Sequence, residues 1–386
     1  MSTLRVNTLQ NTSTTDGGIS INASGHVTVD GVAMPSSGPL SNRNKIINGD
    51  MRIDQRNAGA ATANTISTYT LDRWTAYQSV VGKFTVQQNA GSVTPPTGFI
   101  NYLGVTSASA YTLLSSDQYF IKQSIEGFNV DDLSWGTANA KTVTLSFWVR
   151  SSLTGTFGGA IQNSAASRNY PFSYTVSAAN TWEQKTLTIL GDTTGTWLTN
   201  NGTGIGVIFN LGTGTSFSAT ANAWTATSFV SAPTGATSVV GTNGATFYVT
   251  GVQLEVGSVA TPFEHRSYGD ELARCQRYYY KIDGLNDADD YGTGFNTSTT
   301  NCRPTIVFPV TMRDAPSAVE TTGTATDYKV AHGGTETTCS AVPSFSGASK
   351  NNGRVVFTVS SGLTTGQGSA GRANGSNSTL AFSAEL

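Results

Sequence analysis

The residues best suited to chemistry in this chain are flat aromatic rings, not paired acids. Trp74, Tyr77, Trp135, Trp197 and Trp224 are candidate ligand-binding residues, because an indole or phenol ring can cover the apolar face of a sugar. Trp197 and Trp224 fall in stretches rich in Gly, Thr and Asn and are expected on loops. Trp182 belongs to the same set. Trp148 is opposite in phase to Phe147 within an alternating run, so it is expected to face outward, to a ligand or to a subunit interface. Core or interface packing is the commoner use of each ring, since Trp is mostly buried on average.

Acid–base chemistry has weaker support. Asp131-Asp132 and Asp289-Asp290 are adjacent pairs. Neighbours on a strand point apart, whereas glycosidase carboxylates face each other across about 5–9.5 Å. The histidines are His26, His265 and His332, and no GxSxG elbow marks a serine nucleophile. The Gly-rich run Leu211-Gly212-Thr213-Gly214-Thr215 has no following Lys or helix, so a phosphate loop is not expected. Asp50, Arg52, Asp54 and Arg56 would share one face if their segment were a strand, with Asp72 and Arg73 nearby. That knot reads first as a salt-bridge network pinning the strand to a neighbour. A ligand-facing or calcium-linked cluster is the alternative.

The elements that must position these side chains are β-strands. Val143, Leu145, Phe147 and Val149 alternate within Thr142–Arg150, and Leu187 and Ile189 alternate more weakly within Trp182–Leu190. Phe120–Glu126, Gly204–Leu211 and Ala245–Leu254 complete the set, with Asn129–Leu133 as a turn or short helical piece. Regular turns between such strands predict a two-sheet sandwich or jelly roll over 45–267. Residues 1–44 hold short alternating pieces around Leu9, Ile19, Ile21, Val27 and Val29, too small to bury a core alone, and Pro35–Pro39 reads as a linker.

Residues 268–386 open on the one good helix signal, Asp270–Tyr278, with acids first and arginines last. Strands are expected from Tyr278, placing Tyr278 and Tyr280 on one face, and at Thr305–Val310, Arg354–Val359 and Leu380–Leu386. The stretches between Val310 and Arg354 and from Gly362 to Ser378 read as loop-rich.

Composition narrows the function classes. The chain has 386 residues, enough for two or three domains, with only 12% charged residues and a net charge of −2. No basic stripe is available to neutralise phosphates, so nucleic-acid binding is not expected. No apolar run approaches the roughly 18 residues of a membrane span, and the N-terminus lacks the apolar region of a signal peptide. An aromatic share of 10% separates the chain from disordered sequences. Cys275, Cys302 and Cys339 are odd in number and lack CxxC spacing, so buried or incidental free thiols are expected.

Three segments carry a resemblance. Ser2–Asn11 resembles the attachment segments that open tail-fibre proteins of tailed bacteriophages, notably cyanophages. Asn44–Arg56 with Tyr69–Trp74 resembles the opening of a carbohydrate-binding-module-like sandwich found in phage tail proteins. Gly251–Gly257, Thr261–Arg266 and Glu271–Tyr279 resemble the junction that ends that sandwich, and this third match is the most specific. Together they bracket about two-thirds of the chain.

The resemblance implies an all-β protein in three parts: a tail or baseplate attachment segment at 1–44, a jelly-roll sandwich at 45–267 and a β-rich tip at 268–386. It implies a virion tail-fibre protein assembled as a homotrimer in the host cytoplasm. Its partners would be itself, tail or baseplate proteins and host surface polysaccharide, without membrane insertion and without catalysis. Modules of this kind often hold a structural calcium near the chain ends, where Asp50 and Glu255 would lie. No DxDxDG loop supplies the six to eight oxygens that calcium takes. A polysaccharide depolymerase and a purely structural decoration or spacer protein are the alternatives.

Overall fold

Alternation of apolar and polar residues becomes antiparallel strands almost throughout. The computed structural model describes residues 8–9, 18–21, 25–35, 41–63, 66–287, 289–376 and 378–386. Most of the attachment-like segment Ser2–Asn11 and of the linker Pro35–Pro39 lies outside the described residues. The chain divides into two units, Met1–Arg266 and Ser267–Leu386.

The first unit begins with β1 (Thr8–Leu9), β2 (Ile19–Ile21), β3 (Val27–Val29) and β4 (Val32–Ala33), a small antiparallel sheet in sequence order. The strands β5 (Thr62–Ala63), β6 (Ser67–Tyr69), β7 (Trp74–Gln78), β8 (Phe84–Gln88), β9 (Leu103–Ser107) and β10 (Gln118–Glu126) follow. Next come β11 (Val143–Ser151), β12 (Gly155–Gln162), β13 (Asn169–Val176), β14 (Glu183–Ile189) and β15 (Thr203–Thr213). The short parallel pair β16 (Ser218–Ala219) and β17 (Ala232–Pro233) precedes the long β18 (Thr246–Val256).

Two six-stranded sheets result, ordered β13-β12-β15-β10-β7-β6 and β14-β11-β18-β9-β8-β5. They face each other as a jelly-roll sandwich, because each strand turns its apolar set inward. Phe147 of one sheet meets Tyr174 and Phe209 of the other at centroid distances of 5.0 Å, and Phe209 meets Phe247 at 6.3 Å. Burying each such ring contributes about 1.5–3 kcal/mol. β14 is an edge strand with a half-buried pattern, which explains its weaker alternation in the sequence.

Residues 50–56 are not a strand. Asn48 and Met51 take left-handed backbone angles of 57°, which breaks the extended run. Asp54 instead closes a turn, accepting from the backbone N–H groups of Asn57 at 2.9 Å and Gly59 at 2.7 Å. Asp72 accepts from the backbone N–H of Gln55 at 2.7 Å. The knot is therefore folded into a loop rather than aligned on one face.

The second unit opens with α1 (Tyr268–Gln276), capped by Ser267, whose hydroxyl accepts from the Asp270 N–H at 3.2 Å. Its strands are β19 (Tyr279–Gly284), β20 (Asp290–Asn296), β21 (Asn301–Val307), β22 (Glu320–Thr321), β23 (Tyr328–His332), β24 (Thr335–Thr338), β25 (Ala341–Ala348), β26 (Asn352–Thr358), β27 (Gly368–Ala373) and β28 (Ser378–Ser383). They form a three-stranded sheet, β19-β28-β22, and a seven-stranded sheet, β24-β23-β27-β20-β21-β26-β25.

The stretches expected to be loop-rich thus contain β22 to β25 and β27. Their Thr, Ser and Gly content hid strands whose outer faces are polar. The strand after the helix begins at Tyr279, so Tyr278 precedes it and is buried with Tyr279, while Tyr280 packs on Phe308. All three cysteines are buried, and none of them is in a disulfide.

Candidate functional site

The outer face of the β14-β11-β18 sheet carries a groove of about 600 Å³. Its floor is Trp148 of β11, whose phase turns it out of the core. Gln184 pairs with it across β14, and Thr186 lies further along the same face. The wall is an aromatic trio from two loops. Phe99 meets Phe263 at 5.1 Å and His265 at 5.3 Å, and Phe263 meets His265 at 4.9 Å. Pro262, Thr97, the β3–β4 turn at Gly31 and the β4 residues Val32 and Ala33 complete the rim.

Two local features build this groove. A bulge in the pairing of β11 with β18 falls between Ser146 and Trp148 and admits Gly251, whose φ is +61°. A Cβ there would lie 2.6 Å from Phe99 Cζ, so only glycine lets Phe99 settle beside the strand. The chain after β18 then folds back over the sheet. Glu264 anchors it by accepting from the N–H groups of Asn44 at 2.9 Å and Arg43 at 3.2 Å. Burial would raise the Glu264 carboxyl, but those N–H donors and the Arg266 and Arg43 charges hold it below its ordinary range.

The five aromatic candidates separate into three environments. Trp74 is a core residue with no exposed surface, its indole N–H donating to the Asn48 carbonyl at 3.1 Å. This corrects its assignment as a ligand platform: β7 turns it inward. Tyr77, three residues further along β7 and so on the opposite phase, is half-buried on the outer face and stacks on Phe120 at 5.0 Å.

Trp135, Trp197 and Trp224 come together from three loops. Their centroids are 4.7, 5.4 and 5.6 Å apart, in edge-to-face pairs. Arg168 grips Asp192 beneath them with bonds of 2.8 and 2.6 Å and lies over the Trp224 ring. Burial would raise the Asp192 carboxyl, but the hydrogen bonds from Arg168 and Thr194 outweigh it and hold the group low. Every indole N–H is used internally: Trp135 on the Lys141 carbonyl, Trp224 on the Leu190 carbonyl, Trp197 on the Thr194 carbonyl and on Asp192. The trio is a staple for three loops, with Trp197 and Trp224 half-exposed at its edge.

Asp50 and Glu255 do not make a calcium site. Asp50 pairs with Arg52 at 3.1 Å. Glu255 is buried and accepts from Gln253 Nε2 at 2.9 Å, from the Thr261 N–H at 2.8 Å and from the Thr261 hydroxyl at 2.7 Å, with Arg43 Nε 3.7 Å away. Its oxygens are filled by donors and its charge is answered by an arginine. Among the described residues no group of three or more His, Cys, Asp or Glu is placed to hold a metal.

The adjacent acids are also engaged separately. Lys45 holds Asp132 at 2.8 Å, Asp289 accepts from the Leu285 and Asn286 N–H groups at 3.0 Å, and Arg372 pairs with Asp290. Phe99, Phe263 and His265 were not legible as site residues, since their meeting depends on loops more than 160 residues apart in sequence coming together over the sheet. The phase of Trp148 against Phe147 was the one signal available.

No family model matches the chain, and no curated protein does. Among solved structures it is similar to the enzymatically active domain of tailspike protein 4 of bacteriophage CBA120, at 12% identity over 55% of this chain and 21% of that one, with a TM-score of 0.31. The matched part spans about a fifth of that tailspike chain. It is similar to a CBM4 structure at 18% identity over 54% of this chain and 97% of that one, TM-score 0.27. It is also similar to the CBM22-1 xylan-binding domain from Paenibacillus barcinonensis, at 12% identity over 53% and 99%, TM-score 0.25. These are distant likenesses.

Proposed function

We propose that this chain is a non-catalytic attachment protein of the phage tail-fibre kind, and that its sandwich recognises a glycan of the host cell surface. The observation that carries the reading is the groove floored by Trp148. Its indole offers a flat apolar face, the Phe99, Phe263 and His265 rings wall it, and Gln184 and Thr186 stand at hydrogen-bonding height beside it. Apolar rings with a few placed polar groups match the two-sided chemistry of a pyranose. Single sugar contacts are weak, so useful adhesion requires several copies acting together.

The N-terminal sheet supports the multivalent part of the proposal. Leu9, Ile19, Val29 and Val32 are register partners across its four strands and form one apolar row. Their exposures are 61%, 43%, 36% and 49%. Strands of two or three residues cannot hold such a row in water unaided, so residues 1–44 are proposed to dock, on copies of the chain in a homotrimer and on the tail or baseplate. The test is adsorption of the purified full chain to host cells and to their extracted surface polysaccharide. Binding that is lost in Trp148→Ala supports the reading. Unchanged binding in that variant removes the groove from it, and release of reducing sugar from the polysaccharide would favour a depolymerase.

A further inference from the structure

The opposite sheet carries a second feature that the Trp148 groove does not use. The segment 214–244 crosses the outer face of the β13-β12-β15 side, where Gln162 Nε2 donates to the Val230 carbonyl at 2.7 Å and Asn169 Nδ2 to the Thr227 carbonyl at 2.6 Å. The cover leaves β10 and β7 half-exposed. On β10, Tyr119, Ile121, Gln123 and Ile125 point inward, so Phe120 and Lys122 point out. Tyr77 is the direct partner of Phe120, and Thr75 is the partner of Lys122. The Tyr77 and Phe120 rings are nearly parallel, 14° apart.

Lys122 is the anomaly on this face. Its stem lies flat against the bare backbone of Gly206, where a Cβ would come within 2.6 Å of Cε and 3.2 Å of Nζ. Its cross-strand partners, Thr75 and Ile208, carry no charge. Its ammonium has no hydrogen-bond or ion-pair partner among the described residues, and burial alone pushes its pKa below the ordinary lysine value. A desolvated cation costs free energy unless an anion or acceptor answers it. Among the described residues no acid or acceptor repays that cost. Two other lysines of the unit are answered by acids, Lys45 by Asp132 and Lys185 by Glu183.

We infer that this face binds an anionic hexose unit, with Lys122 meeting its carboxylate or phosphate and the Tyr77–Phe120 pair meeting its ring. The inference rests on the preceding section only in taking glycan as the ligand class; it concerns the other sheet and other residues. The shared chemistry is one negative charge on a pyranose, supplied either by a uronic acid or by a sugar phosphate. A charge-assisted bond made at a half-buried ammonium is stronger than one made in open water.

The experiment titrates the full chain with glucuronate, glucose 6-phosphate and glucose and follows saturation transfer to the sugar ring protons by NMR. The expected result is transfer to at least one anionic sugar, none to glucose at the same concentration, and binding roughly tenfold weaker in Lys122→Met and Lys122→Gln. Gly206→Ala, which displaces the ammonium without removing it, is expected to weaken binding as well. Glucuronate alone identifies a uronic acid as the source, and glucose 6-phosphate alone a phosphorylated sugar. The melting temperatures of both Lys122 variants are expected to stay level or rise, since a partnerless charge is removed. No transfer to either anion, equal transfer in the Lys122 variants, or a lowered melting temperature that points to a structural lysine would overturn the inference. Trp148→Ala separates the two sites: it is expected to keep the anionic sugars bound, so either site can fail while the other stands.

Discussion

Trp148 lies against Gly251, close enough that a Cβ on the glycine would sit 3.2 Å from the indole Cδ1. Gly251 also holds a left-handed backbone angle of +61°. One position therefore both bends β18 and makes room for the groove floor. Gly251→Ala is expected to lose about 1–2 kcal/mol of stability from the backbone angle alone, and more from the displaced rings. Urea denaturation reads the loss, and polysaccharide adsorption should fall in parallel.

Trp148 and Trp74 give opposite outcomes. Trp74 is sealed in the core, so Trp74→Ala should cost about 3–5 kcal/mol. Trp148 is half-exposed, and Trp148→Ala should cost about 1 kcal/mol or less while abolishing adsorption. Chemical denaturation of both variants, set beside the adsorption assay, checks the pair. Equal stability losses would mean that Trp148 is simply a packing residue.

The Arg168–Asp192 pair makes the loop staple acid-sensitive. The Asp192 carboxyl is held below its ordinary value of 3.8. A depressed carboxylate contributes stability at every pH above its unfolded value and loses it as the pH falls through the folded one. Unfolding free energy should therefore decline as the pH drops below the usual carboxylate range. Asp192→Asn should cost about 3 kcal/mol at neutral pH, because Arg168 loses its partner, and should flatten that acid limb. Tryptophan fluorescence, reporting on Trp135, Trp197 and Trp224, is the measurement.

The apolar row on β1 to β4 makes a solution prediction. Ile19→Lys combined with Val29→Lys places charge in the middle of the row, since the two residues are direct partners. Sedimentation velocity should show a smaller species than the parent chain at the same concentration. An identical distribution would exclude this face as the site of self-association.

The cysteines should be silent in the native protein. Burial pushes the Cys302 thiol up to about 11 and the Cys339 thiol up to about 12. A thiol reagent at about pH 8 meets almost no thiolate there. Reaction is expected only after urea unfolding. Rapid labelling of Cys302 or Cys339 in the folded chain would contradict the packing of the second unit.

Local pattern carried most of the strand content. Val143, Leu145, Phe147 and Val149 announced β11 because period-two alternation is a property of neighbours in sequence. The helix at Tyr268–Gln276 was legible for the same reason: its acids, arginines and cap lie within one another's reach. Where alternation used Thr, Ser and Gly, as in Thr335–Thr338 and Gly368–Ala373, the strands were hidden. Pairing with neighbours, not their own apolar residues, holds them in place.

What the sequence by itself determined was a charge-poor, aromatic, β-built chain, with Trp148 out of phase with its core neighbours. What only the tertiary structure decided was which rings meet. It buried Trp74, gathered Trp135, Trp197 and Trp224 onto one Arg–Asp pair, and brought Phe99 and Phe263 together beside Trp148. It also left Lys122 without a counter-charge among the described residues. The reason is physical: phase is set by the backbone of one strand, whereas partners are set by loop paths and sheet register across the whole unit.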